Sequence, residues 1–374
     1  MKAIKKYPVL ILFFALIFVI AAANIISPDK ERSEMENAYL QQLPKFSWSS
    51  LMDSSERGFT QKFEKYLSDQ FILRDGWITA KSVSESLLGK KENNGIVYGE
   101  DGYLFGIYRS YDEKRLLENI DYMKALKAAY PDIPMDAMIV PSAYTILTDK
   151  APQDIGNVDQ FTILDRIEKS LSDAGYNIMP IRDVLTAHSS QEIYYRTDHH
   201  WTTLGAQIAC ETYLMHTGRD FVKPDEAFKN EVEDFLGTHY SKSKNFDVVT
   251  DTIVWYDLPV DSVSIGDKDM GGLYDLAAFD TRDKYAAFLH GNHGITVIEN
   301  ESAPKGNILV IKDSYANSFV PFLTQSYSTV TVVDLRYLPM GFASLMQGSE
   351  FDRVLFLYNF ENIESDINFY RMKY

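Results

Sequence analysis

Cysteine is almost missing. Cys210 is the only one in 374 residues, so no disulfide forms within the chain. It stands among Ala206, Ile208 and Ala209 in a helical stretch, where it reads as a small buried hydrophobe rather than a nucleophile. An exported chain without disulfides suits a bacterial-type envelope better than a disulfide-stapled secreted domain. Positive charge is also short. There are 37 Lys and Arg against 53 Asp and Glu, a formal net charge of −16. Such a chain repels phosphates, so nucleic acid is not an expected partner, and broad adsorption to anionic lipid is disfavoured. No His-x-His or His-x₃-His spacing occurs, and no set of metal-binding carboxylates assembles at strand ends, so no metal or other cofactor is expected. Internal repeats and low-complexity tracts are absent. Hydrophobic content of 45% and charged content of 24% are ordinary for a folded protein of one large domain or two.

The first residues carry the clearest signal of location. Lys2, Lys5 and Lys6 precede an apolar run from Val9 to Ala23, which Asn24 interrupts and Ile25 and Ile26 extend. Basic residues followed by about 18 mostly apolar ones predict a signal anchor. Ala21-Ala22-Ala23 also offers small residues for cleavage of a signal peptide. Either way the bulk of the chain is expected outside the cytoplasm, held at the membrane by residues 9–26 or secreted.

Residues 28–112 read as a juxtamembrane linker followed by docking helices and a hairpin. Phe59, Phe63, Tyr66, Leu67 and Phe71 recur at helical spacing across 58–78, a stripe expected to face a core. Glu100-Asp101-Gly102 between Gly95–Gly99 and Gly102–Phe105 signals the hairpin. From residue 113 helices and strands alternate, with helices over 113–130, 158–171 and 203–217 and strands at 137–142 and 177–181. Residues 221–300 break the rhythm and read as a β-rich insertion with antiparallel strands over the active-site face. The alternation then resumes, with a strand over 307–311, a helix over 315–323, a strand over 330–333, a helix over 339–346 and a strand over 353–358. This order predicts an α/β domain over 113–374 with a mainly parallel sheet between helices.

Two stretches carry chemistry. Tyr194-Tyr195-Arg196-Thr197-Asp198-His199-His200-Trp201 concentrates a carboxylate, two imidazoles and an indole, a set too costly to bury for packing alone. In an extended segment residues two apart share a side, so Asp198 and His200 would meet and His199 would point away. Ile308-Leu309-Val310-Ile311-Lys312-Asp313-Ser314 reads as a buried strand ending in a turn. Ligands bind beyond the carboxyl ends of such strands. Ser314 is there the candidate nucleophile, His200 its base and Asp198 the carboxylate that orients the base. A helix N-terminus after Ser314 would favour a developing oxyanion. Asn317, one turn on, is another candidate donor. Tyr194, Tyr195, Arg196, Trp201 and His199 are candidates for contact with substrate, although Trp201 suits packing beneath the site better.

Asp198-His199-His200-Trp201 is the signature after which the DHHW protein family is named. The flanking Tyr-Tyr-Arg-Thr and Thr, the later Lys-Asp-Ser-Tyr-Ala-Asn-Ser-Phe, the early Leu-Pro-Lys-Phe-Ser and Asp69-Gln70-Phe71…Arg74-Asp75 also resemble that family. The family is similar to the alginate O-acetylation proteins, which have an SGNH-hydrolase-like domain. The resemblance implies a three-layer α/β/α fold and a triad of Asp198, His200 and Ser314. Their order is permuted from ordinary SGNH hydrolases, where the serine comes first. Gly291 and Asn292 are similar to the glycine and asparagine that supply oxyanion donors in SGNH enzymes. Lys312 departs from the pattern, standing where many of those enzymes have glycine.

The leading expectation is an exported carbohydrate O-acetylesterase or O-acetyltransferase working through an acyl-serine. Its partner would be a polysaccharide or cell-wall glycan, and by analogy with the relatives a membrane O-acyltransferase would supply the acetyl group. A non-catalytic glycan-binding or scaffold protein of the envelope is the alternative. A metal-dependent phosphoesterase is a third reading, lacking the carboxylates it needs.

Overall fold

The computed structural model describes residues 7–33, 38–55, 58–153, 155–245, 247–338, 341–348 and 350–373. Lys2, Lys5, Lys6 and Pro339 lie outside the described residues. The chain divides into two compact units, Met1–Lys91 with Lys244–Phe246, and Glu92–Ser243 with Asp247–Tyr374. The hairpin strands Ile96–Tyr98 and Leu104–Gly106 therefore fall in the second unit.

In the first unit, Pro8–Ile26 is one helix of 19 residues with mean hydropathy 3.0 and no buried side chain. At 1.5 Å per residue it spans about 28 Å, close to the hydrocarbon thickness of a bilayer. Asn24, the polar break in the run, lies in its last turn, and its Oδ1 accepts from the Ile72 N–H at 2.7 Å. The stretch 58–88 forms two helices, Phe59–Asp69 and Arg74–Leu87, broken where Leu73 takes a left-handed φ of 55°. The expected core-facing stripe is a correction. Leu67 and Phe71 are exposed, and in the first helix only Asp69 is buried. The aromatic members of the stripe stack on one another instead. Phe46, Phe59, Phe63 and Tyr66 form a chain of rings with centroids 5.3, 5.6 and 6.1 Å apart.

The second unit is built on an eight-stranded sheet. Its order is Lys268–Asp269, Ser262–Ile265, Ile295–Glu299, Thr329–Val333, Asn307–Lys312, Arg353–Asn359, Met135–Val140 and Asn177–Ile178. The five strands from Thr329–Val333 onward are mutually parallel, and the first three add antiparallel at one edge. The antiparallel edge comes from the irregular stretch 221–300, which also forms a separate antiparallel pair, Lys229–Phe235 with Asp251–Tyr256.

The central strands are apolar on both faces because both faces are covered. Ile308, Val310, Leu355 and Leu357 join a core with Tyr213 and Leu214 of the helix Thr203–His216. Their alternates Leu309, Ile311, Val354 and Phe356 join another with Leu116, Ile120 and Met123 of the helix Glu113–Ala129 and Leu164 and Ile167 of the helix Gln160–Asp173. Cys210 is fully buried in the first of these cores, where burial pushes its thiol well up.

From Asn307–Lys312 the next strand lies on one side and Arg353–Asn359 on the other. This reversal opens a crevice at the carboxyl end of Asn307–Lys312, where parallel sheets place their ligands.

The expected helix over 315–323 is a second correction. Ser314–Asn317 is a single 3-10 turn, and a four-residue helix follows at Val320–Leu323. Pro321 has no N–H for the carbonyl of Asn317, so one helix does not run through. The helix expected from 339 covers Phe342–Gly348.

Candidate active site

The motif Asp198–Trp201 sits in a tight reversal rather than an extended strand. Tyr194 bridges to Trp201, and the Tyr195 N–H donates to the His200 carbonyl at 3.2 Å. Inside the reversal Asp198 Oδ1 accepts from the His200 backbone N–H at 3.0 Å, an Asx-type turn. The same oxygen is 2.6 Å from Nδ1 of the His200 ring. Nε2 of that ring is 2.7 Å from Ser314 Oγ.

Asp198 is almost fully buried. Burial alone would raise its carboxyl, but the imidazoles of His199 and His200, the His200 hydrogen bond and the Thr238 N–H (2.7 Å to Oδ2) together hold it well below its ordinary value. An ionised carboxylate only accepts. His200 Nδ1 must then carry the proton and donate to Asp198, which leaves the Nε2 lone pair facing the Ser314 hydroxyl. The arrangement can take the serine proton and return it to a leaving group.

Several elements hold this geometry. Asp313 clamps the serine turn to the neighbouring strand. Its Oδ1 accepts from the Tyr315 N–H, and its Oδ2 accepts from the Asn359 N–H and Asn362 Nδ2. Trp201 Nε1 donates to the Tyr315 carbonyl at 2.9 Å, and the Tyr315 hydroxyl donates to the His199 carbonyl, so the two motifs are tied twice. Tyr285 lays its ring flat on His200, 3.9 Å between centroids, and donates its hydroxyl to the Ser314 carbonyl at 3.0 Å. Asp251 accepts from the N–H groups of Arg196 and Thr197 and from the Thr197 hydroxyl. Gly237 lies so close that a Cβ there would meet Asp198 Cβ at 2.2 Å.

Tyr285, Gly237, Thr238 and Asp251 all come from the insertion and were not anticipated from sequence. Only the alternating stretch Thr252–Tyr256, next to Asp251, hinted at order there.

Four of the other candidate residues line two cavities. Tyr194, Tyr195 and Arg196 line one of about 440 Å³, and neither cavity is lined by Asp198, His200 or Ser314 themselves. Tyr194 is buried, with its hydroxyl on the Pro141 carbonyl. Tyr195 packs edge-on to Phe235 and Tyr285, and Arg196 pairs with Glu192. Trp201 is fully buried beneath the site, parallel to Phe319. His199 lines the other cavity, about 360 Å³, with Tyr315, Ser142, His239, Lys242 and Glu361. It does not point away from its neighbour. Its ring lies 3.9 Å from that of His200, and burial pushes it down to about 3.

Asp198, His199 and His200 bring potential metal-ligating atoms within 4.8 Å of one another. The Asp198 oxygen and both His200 nitrogens are, however, already engaged in the relay to Ser314.

Among the oxyanion candidates, the Gly291 N–H donates to the Phe288 carbonyl. The Asn317 amide is engaged at both ends. The Ser314 N–H has no acceptor among the described residues.

Residues 95–333, well over half of the chain, match the family model described as DHHW protein. This chain belongs to the DHHW family. A DHHW family protein from Eubacterium siraeum superposes with a TM-score of 0.64 at 22% identity, over 75% of this chain and 96% of that one. Bacillus cereus PatB1, in a structure with a sulfonyl adduct, gives 0.56 at 21% identity, over 72% and 98%. The O-acetyltransferase domain of Pseudomonas putida AlgJ is more distant, at 0.46 and 14% identity over 73% and 93%. What the first two share with this DHHW protein is the mixed α/β fold. No curated protein matches the chain.

Proposed function

We propose that this DHHW protein is an extracytoplasmic serine O-acetyltransferase or acetylesterase acting on an envelope or exported polysaccharide, within a three-layer SGNH-like fold. The observation that carries the reading is the continuous relay from Asp198 through His200 to Ser314, at 2.6 and 2.7 Å. Ser314 Oγ attacks the acetyl carbonyl carbon while His200 Nε2 takes its proton. The tetrahedral intermediate expels the donor alkoxide, which receives that proton from His200, and acetyl-Ser314 remains. A sugar hydroxyl, or water, then gives its proton to His200 and attacks the same carbon, and as the second tetrahedral intermediate breaks its bond to Oγ, His200 Nε2 returns that proton to Ser314 Oγ.

The smaller cavity is the seat of the substrate in this reading, because His199 and Tyr315 join it directly to the relay. Pro8–Ile26 serves as the anchor that keeps the domain at the outer membrane surface, within reach of a membrane O-acyltransferase as acetyl donor.

The test uses the full-length chain in detergent with p-nitrophenyl acetate. Turnover and an acetyl mass increment on the peptide holding Ser314 are expected. Both should vanish in Ser314→Ala and His200→Ala. An increment that persists in Ser314→Ala, or no increment in a folded wild type, overturns the acyl-serine route.

A further inference from the structure

At the end of the serine strand, a lysine controls two side-chain amides. Lys312 is 2% exposed. Its Nζ donates to Asn292 Oδ1 at 2.7 Å and to Asn317 Oδ1 at 2.8 Å. It also lies 3.5 Å from Oδ2 of buried Asp334, which Arg336 holds through both oxygens. An ammonium only donates, so each amide has to turn its oxygen toward it. The lysine thereby settles an oxygen-or-nitrogen choice that amide shape alone leaves open.

The consequences for the two amides differ. Asn317 directs its NH₂ to the Gly291 carbonyl at 3.4 Å and to Asn292 Oδ1 at 3.2 Å, so both of its ends are held inside the cluster. Asn292 accepts on its oxygen from Lys312 and Asn317, and its NH₂ has no acceptor among the described residues. Asn292 is half-buried, whereas Lys312 and Asn317 are buried. Asn317 closes the 3-10 turn that Ser314 opens, so the cluster adjoins the nucleophile. That four-residue turn is too short for a helix dipole to do this work, and the Gly291 N–H is already engaged.

We propose that Lys312 is a positioning residue that presents the Asn292 NH₂ as an oxyanion donor beside the Ser314 N–H. The assignment rests on the acyl-serine reading above. In that reaction the carbonyl π pair moves onto oxygen as Oγ attacks, and the two donors receive the resulting charge until the intermediate collapses. The lysine in place of the usual glycine thus supports the donor from below without touching the reacting atoms.

The test is the rate of Ser314 acetylation by p-nitrophenyl acetate, read by intact mass on the full-length chain. Asn292→Ala and Asn292→Asp should each lower kcat by about 100-fold with little change in KM, the size seen when one oxyanion donor is lost. Asn292→Asp keeps an oxygen toward Lys312 and so preserves the cluster. Lys312→Met should lower kcat at least tenfold, and Asp334 stays paired with Arg336. The double variant Asn292→Ala/Lys312→Met should be within about twofold of Asn292→Ala, because the lysine acts through that amide. Lys312→Gln is the conservative control: its amide NH₂ can donate to the same oxygens, so it should keep kcat within about threefold of wild type, and a loss in Lys312→Gln as large as in Asn292→Ala overturns the positioning role.

Wild-type acetylation in Asn292→Asp overturns the donor assignment. Losses that multiply in the double variant overturn the positioning role. Failure of the acyl-serine reading looks different, because acetylation then persists in Ser314→Ala or is absent from the folded wild type.

Discussion

On the histidine side of the site, residues 194–201 fold back on themselves, and the decisive contacts join Asp198 to a residue two positions away. On the serine side, Lys312 gathers Asn292, Asn317 and Asp334 from three separate segments, up to 22 positions distant. The two sides also treat charge differently. Asp198 stays ionised because two imidazoles and two backbone N–H groups surround it. Lys312 is pressed down to about 8 by burial, with Asp334 opposing the shift. A local turn aligns the hydrogen-bond chain from Asp198 through His200 to Ser314, and a long-range polar cluster sets the orientation of two side-chain amides. The relay is expected to tolerate no loss of charge, and the dipole side to fail by degrees.

The largest effect should follow from removing the charge while keeping the shape. In Asp198→Asn the amide can donate to His200 Nδ1, which stabilises the wrong tautomer and turns an N–H toward Ser314. A rate loss of about 10⁴ in Ser314 acetylation is expected with the fold intact, far beyond the loss at Asn292. A loss below tenfold would mean that the histidine side does not work through its tautomer.

A steric change on the same side should come next. Gly237 touches Asp198 so closely that an added methyl group has to displace the carboxylate or the backbone carrying Thr238. Gly237→Ala is expected to cost about 1–3 kcal/mol of stability and to slow acetylation at least tenfold. Unchanged unfolding and unchanged kinetics would show that the insertion does not brace the relay.

These expectations also mark what could be read from the sequence. The Asp-His-His-Trp cluster and the serine after a buried strand were visible because their chemistry is concentrated in a few adjacent positions. The pairing of Asp198 with His200 emerged for a different physical reason from the one that suggested it. Alternation along an extended strand implied a shared side, whereas the chain reverses and Asp198 caps its own turn. Tyr285, Gly237 and Asp251 were hidden because they reach the site from an insertion without a regular period, 39 to 87 positions from Asp198. The helix after Ser314 was overextended because apolar spacing concealed the missing N–H of Pro321. Lys312 registered only as a departure from glycine, since a sequence does not show where a long side chain ends.

The smallest effect concerns the wall shared by the relay and the smaller cavity, where His239 stands. Its Nδ1–H donates to the Leu104 carbonyl at 2.9 Å, and burial lowers its pKa to about 4. A histidine with a depressed pKa binds fewer protons folded than unfolded between about 4 and its ordinary value of 6.5. Stability from this group is therefore complete above that ordinary value and is lost as pH falls toward 4. Asp251 works in the opposite direction, because burial raises its carboxyl to about 6 and its contribution is lost as pH rises through that value. The wild-type slope mixes these with other shifted groups, His199 and Asp198 among them, so a difference between proteins is needed to isolate the histidine. His239→Asn retains an N–H for the Leu104 carbonyl and does not titrate. Urea unfolding at about pH 7 and about pH 4.5 should show the advantage of wild type over this variant shrinking by about 1–3 kcal/mol on acidification. The histidine side would then be a wall whose buried imidazole is kept neutral down to about its folded value of 4. An advantage that is the same at both pH values would mean that His239 is not held neutral, and that this wall differs from the lysine side in geometry alone.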